Sequence, residues 1–92
     1  ITECQRIAAL AAAHELTVAP HLWGSAILFA AGLHLCVATP CATVVEFTRG
    51  ENPLLHELVE EPFALVDGHV LAPERPGLGL GQPVDLGSAA TW

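Results

Sequence analysis

Two of the 92 residues stand where a side chain can do acid–base chemistry. His21 follows the β-prone run Thr17-Val18-Ala19-Pro20, and Glu46 closes the run Thr43-Val44-Val45. An imidazole has an unperturbed pKa of ~6.5, so a neutral histidine can take a proton at physiological pH. A carboxyl group kept protonated by an apolar site and neighbouring negative charge can donate one. Where strands run parallel in a β/α barrel, the residues at their C-terminal ends face the active site. Either residue alone reads more readily as a loop residue with ordinary hydrogen bonds. The two together, each at the end of its own strand, shift the reading towards function. Trp23 lies beside His21 in the chain and is a candidate wall for a substrate pocket, or equally a packing residue beneath the same loop.

The other reactive residue types carry less. His34 sits in an apolar run and reads as a packing or interface histidine. His14 suits the C-terminus of its helix, and His56 and His69 read as exposed. Glu57, Glu60 and Glu61 read as a solvated acidic face. Ser25 has no base-and-orienter arrangement and is not a nucleophile candidate. Cys4, Cys36 and Cys41 are odd in number, with no Cys-x-x-Cys, and read as reduced, mostly buried thiols. His34, Cys36 and Cys41 lack zinc-ligand spacing.

The elements that must position His21 and Glu46 follow from periodicity and punctuation. Thr2 with Gln5 fits a capping box, so a helix starts there. Cys4, Ile7, Ala8, Leu10 and Ala11 recur on one of its faces. It should end near His14, with Glu15 standing close to the left-handed position that glycine usually takes. A strand at 17–19 is stopped by Pro20. Gly24 or Ser25 then caps a second helix, 26–37, which is apolar nearly all round and needs cover on several sides. An isolated chain of this length holds too little other mass to supply that cover. Pro40 precedes a second strand, 43–47. Helix, strand, helix, strand with short loops is the β/α alternation of a parallel sheet or barrel.

The second half changes character. Residues 49–53 form a loop and 54–59 one helical turn. Phe63 to Val66, Asp67-Gly68, then His69 to Leu71 predicts a β-hairpin on a type I′ turn. Pro73 to Gly81, with three glycines and two prolines, reads as extended and irregular cover. The last eleven residues show no periodicity, which fits a disordered terminus.

Composition excludes some partners. The formal net charge is −7, with only Arg6, Arg49 and Arg75 as bases. Nucleic-acid binding and a polybasic membrane site both need cations that this chain lacks. The apolar stretch from Ser25 to Ala38 falls short of the ~20 residues that span a bilayer. With no basic n-region at the start, a cytoplasmic protein is expected.

An ordered set of short motifs carries a resemblance over about 80 residues. It comprises Val18 to Ile27 (VAPHLWGSAI), Leu33-His34-Leu35, Glu46-Phe47, Glu51-Asn52-Pro53-Leu54, Glu61-Pro62, Asp67-Gly68 and Pro76-Gly77-Leu78-Gly79. In that order the chain resembles the C-terminal part of the mandelate racemase/muconate lactonizing enzymes, a branch of the enolase superfamily. The resemblance implies an α/β fold: the last part of a modified (β/α)7β TIM barrel and the segment that returns to the capping domain. Residues 1–48 would be the last β/α units, and 49–92 the cover segment with its hairpin. His21, at the end of strand seven, would be the general base. Glu46, at the end of strand eight, would donate to a substrate carboxylate oxygen. The family removes the proton α to a carboxylate and stabilises the enediolate on Mg²⁺. An acid-sugar dehydratase is the expected activity, with racemisation, epimerisation or lactone cycloisomerisation as alternatives. By the same resemblance the Mg²⁺ ligands, the second base and the Asp that orients the histidine lie on earlier strands. These residues alone are therefore expected to be inactive. A homo-oligomer is expected, with a small carboxylate as substrate of the whole enzyme. The segment after Gly81 departs from the more acidic family ending.

Overall fold

The computed structural model describes residues 1–81, so the expectations for the last eleven residues lie outside it. Three helices follow one another: α1 (Thr2–Ala13), α2 (Ala26–Val37) and α3 (Pro53–His56).

α1 ends at His14 as its periodicity requires, and Glu15 takes the left-handed conformation at φ 57°. The capping box does not form. Ile1 is the N-cap, its carbonyl accepting from Gln5 N–H at 3.0 Å, so Thr2 is already inside the helix. A threonine there cannot turn its hydroxyl onto the N2 and N3 amides as a cap does. The expected apolar face is also only partly used. Ala8 is buried, but Ile7, Leu10 and Cys4 are exposed. Cys4 thus departs from the expectation of a mostly buried thiol.

α2 matches its expected bounds. Ser25 caps it, the hydroxyl accepting from Leu28 N–H at 3.4 Å. Seven of its residues are buried: Ala26, Phe29, Ala30, Gly32, Leu33, Leu35 and Cys36. The expectation that the chain lacks the mass to cover this helix is wrong on most sides. The second half of the chain folds onto it. Leu22, Phe29, Leu33 and Leu55 form the core, with Val45, Phe47, Phe63, Val70 and Ala72 packed against them. Phe29 meets Phe47 and Phe63 edge-on, with centroids 5.5 and 4.8 Å away, an arrangement aromatic rings favour. Residues before and after position 48 therefore share one core.

The two expected strands shrink to a single parallel bridge between Val18 and Ala42, in which Val18 N–H donates to Cys41 O at 3.0 Å. Parallel strands are stable when neighbours pair on both sides and helices cover the faces. Among the described residues no third strand flanks either segment, so no ladder extends beyond the bridge. The order bridge, α2, bridge is nonetheless that of a β-α-β unit.

Of the expected hairpin the turn forms, closed by a single antiparallel bridge, and no strands extend over 63–66 or 69–71. Val66 and His69 exchange backbone hydrogen bonds of 2.9 Å, and Asp67 and Gly68 both have positive φ, 50° and 77°. That is what a type I′ turn demands. The following segment packs back on α2, where His34 Nε2 meets Leu78 O at 3.3 Å. His56 is half-buried rather than exposed, because it sits on α3 next to the docked Leu55. Glu57, Glu60 and Glu61 are exposed as expected, with Arg75 bridging Glu60 at 3.1 Å and Glu61 at 2.5 Å on the surface.

Candidate active site

The β-α-β order sets the site. It returns the chain alongside itself at Ala42, so the segments that leave Val18 and Ala42 run out on the same side. Three residues beyond the first bridge partner stands His21, and four beyond the second stands Glu46. The two side chains meet: His21 Nδ1 lies 2.8 Å from Glu46 Oε2. The same Oε2 accepts the backbone N–H of Leu22 at 2.6 Å.

This pairing has a chemical consequence. At 2.8 Å the two side chains form an ion pair when the imidazole is protonated, and the contact involves Nδ1, not Nε2. The His21 side chain is 77% exposed, so Nε2 is open to a ligand. Backbone alternation sends Val45 and Phe47 into the core, while Val44 lies in solvent and the Glu46 side chain stays 42% exposed. The apolar residues flanking Glu46 therefore do not wall it in. Trp23 is 61% exposed on the same loop, which is not the packed position allowed for above, and its ring is free to line a ligand.

The loop bearing His21 has no regular secondary structure, yet it is held at several points. Leu22 is buried directly behind His21 and rests on Gly32 of α2, where a Cβ would stand 2.0 Å from Leu22 Cδ2. Only a residue without a side chain lets the loop come this close. Asn52 Nδ2 donates to Gly24 O at 2.8 Å, tying the loop to the start of α3. Neither contact was foreseen from sequence. Nothing local to Gly32 or Asn52 in the sequence points to a partner 10 or 28 residues away.

Other features do not converge here. A cleft of about 420 Å³ lies under the hairpin and another of about 440 Å³ beside Leu33, Val45 and Phe47; neither is lined by His21, Glu46 or Trp23. Among the described residues no group of three His, Cys, Asp or Glu lies together that would hold a metal ion, so these residues do not fit a Mg²⁺ site. All three cysteines are free. Burial pushes the Cys36 thiol up, which suits an inert packing role.

Comparison with known proteins gives the family. Residues 1–82 match the model described as enolase C-terminal domain-like. The chain belongs to that family. It is a C-terminal region of the mandelate racemase/enolase superfamily, as the ordered motifs implied. This enolase-type segment is 36% identical over 87 residues to a D-galactarolactone cycloisomerase of Agrobacterium fabrum, covering 86% of the chain and 23% of that enzyme. It is 36% identical over 86 residues to a D-galactonate dehydratase of Pectobacterium atrosepticum, covering 87% of the chain and 22% of the enzyme. A D-galactonate dehydratase family member of Streptomyces bingchenggensis is 35% identical over 82 residues, 87% of the chain and 20% of that protein. The chain thus spans about a fifth to a quarter of the length of these relatives. No solved structure gives a significant match. The α/β character and the kinship with acid-sugar enzymes follow from the family. No helix among the described residues is long and apolar enough to cross a membrane.

Proposed function

We propose that this segment supplies a general base and its partner carboxyl group to a Mg²⁺-dependent enzyme that removes the proton α to the carboxylate of an acid sugar. The observation that carries the reading is the 2.8 Å pairing of His21 Nδ1 with Glu46 Oε2. It leaves His21 Nε2 exposed as the proton acceptor. Glu46 keeps Oε2 on His21 and Leu22, so Oε1 is the atom that would meet a substrate carboxylate oxygen, as a donor when protonated. Trp23 would line the substrate. In the whole enzyme, residues 1–48 would be the last β/α units of a (β/α)7β barrel and 49–92 the segment covering it. Mg²⁺ would be held by residues of the whole enzyme outside this segment.

Dehydration is the favoured reaction, in which loss of the β-hydroxyl follows abstraction of the α-proton. Two of the relatives above carry names of the D-galactonate dehydratase group, and a third is named a lactone cycloisomerase. Epimerisation or cycloisomerisation through the same enediolate is the alternative. A cytoplasmic setting suits an enzyme of small sugar acids.

The test uses a full-length enzyme carrying this segment, D-galactonate and related acid sugars in D₂O. His21→Asn should lower α-proton exchange by the ~10²–10⁴-fold typical of a lost acid–base group. Undiminished exchange would overturn the assignment of His21.

A second reading has its own observation. Ile7, Leu10, Ile27 and Val37 are all more than half exposed. On that reading the 92-residue chain has no catalytic activity of its own and hides these side chains by self-association.

A further inference from the structure

We propose that Asn52 is a positioning residue for His21, acting through the carbonyl of Gly24. The inference rests on the reading of His21 as a base and names what holds it.

The stretch from Ala19 to Gly24 has no helix or ladder to fix it. Behind His21 the Leu22 side chain is seated on Gly32, and its N–H is bound by Glu46. On the far side Gly24 leads into Ser25, the cap of α2, and a second point of attachment there sets the direction in which the loop enters the helix. Asn52 supplies that second point through its 2.8 Å hydrogen bond. Gly24 O is purely an acceptor, so the amide must face it with Nδ2, which fixes the side chain's orientation.

Asn52 is well placed to act as an anchor. It directly precedes α3, whose Leu55 is 1% exposed and packed in the same core as Leu22. Its backbone is therefore held by the core independently of the loop. It is also the N-cap of α3, where an asparagine side chain ordinarily accepts from an amide of the first turn. Here it makes no such bond. The side chain is turned to a residue 28 positions earlier instead of serving its own helix. A pure helix-capping role leaves that choice unexplained.

The experiment uses the 92-residue chain labelled with ¹⁵N, and it reads the His21 ring nitrogens and the Leu22 amide by NMR near neutral pH. Wild type should show a His21 Nδ1 resonance shifted by the adjacent Glu46 carboxylate and a strongly downfield Leu22 amide. Asn52→Ala should lose both signatures. Asn52→Asp, which keeps the size and the capping preference but lacks the donor, should lose them as well and guards against an unfolded alanine variant. Val59→Ala serves as control, because Val59 is 7% exposed but lies outside the His21 loop. It should lower the melting temperature and leave both signatures in place. Retention of the signatures in Asn52→Asp, or their loss in Val59→Ala, would overturn the proposal. The readout is not turnover, so failure of the functional reading and failure of this one remain distinguishable.

Discussion

The 2.0 Å that separates a hypothetical Gly32 Cβ from Leu22 Cδ2 makes this glycine a structural requirement, despite its place inside a helix. A helix interior disfavours glycine relative to alanine by about 1 kcal/mol, so on propensity alone Gly32→Ala would stabilise the protein. Packing opposes that gain. Leu22 is 4% exposed and enclosed by the core, so its side chain cannot swing clear of a new methyl group. Overpacking of this kind costs ~1–3 kcal/mol, which is equal to or larger than the propensity gain. Gly32→Ala is therefore expected to be destabilising by up to about 2 kcal/mol, the difference of the two effects. It should also displace the loop that carries His21. Thermal unfolding followed by circular dichroism checks the sign, and a melting temperature above wild type would show that Leu22 can move. The contrast with Gly68 is instructive. There the reason for glycine is backbone conformation, φ 77°, with open space around the absent side chain.

At the level of elements, what was legible depended on whether the physics is local. The start of α2 was legible because a serine hydroxyl three residues from an amide is a local matter. The turn between Val66 and His69 was legible because Asp67-Gly68 is among the few dipeptides that accept positive φ twice. The strands at 17–19 and 43–47 were legible in composition but not in extent. Pairing depends on neighbours distant in sequence, and among the described residues Val18 pairs with Ala42 alone. The pairing of His21 with Glu46 was anticipated only as a shared location, and the Asn52–Gly24 bond had no sequence signal at all. α3 shows the same dependence on tertiary contacts. Four residues cannot hold a helix unaided, since isolated helices shorter than ~12 residues are marginal in water. Leu55, 1% exposed, docks it in the core, while its neighbour Leu54 is 41% exposed. Leu55→Ala should therefore cost ~2–5 kcal/mol, and Leu54→Ala well under half of that. At roughly 4–8 °C per kcal/mol for a domain of this size, the first change should lower the melting temperature by about 10 °C or more. Equal shifts for the two variants would show that α3 is not held by this contact.

The described part of the molecule is longer than a packed chain of its size. Its extents are 47 × 27 × 25 Å with a radius of gyration of 14.3 Å, against about 12 Å expected for a compact fold of this length. Apolar side chains are left in solvent accordingly, with Ile7 61%, Leu10 64%, Ile27 57%, Val37 69% and Leu71 86% exposed. Burying each such side chain in a contact between copies contributes about 1.5–3 kcal/mol before the entropic cost of association. Charge works against this. A net charge of −7 on a small chain makes copies repel, and the repulsion is screened as the Debye length falls from ~30 Å at 0.01 M salt to ~8 Å at 0.15 M. Self-association is therefore expected to strengthen with salt, opposite to an assembly held by ion pairs. Sedimentation velocity over a range of protein and salt concentrations reads this directly, and the melting temperature should rise with protein concentration under the same conditions. Placing charge on the exposed side of α1, Ile7→Glu with Leu10→Glu, should abolish association while leaving the core intact, because neither residue belongs to it. A wild-type chain that sediments as a monomer at every concentration and salt level would show that this surface is tolerated in water. Association that survives the double change would move the contact to Ile27 and Val37 on α2.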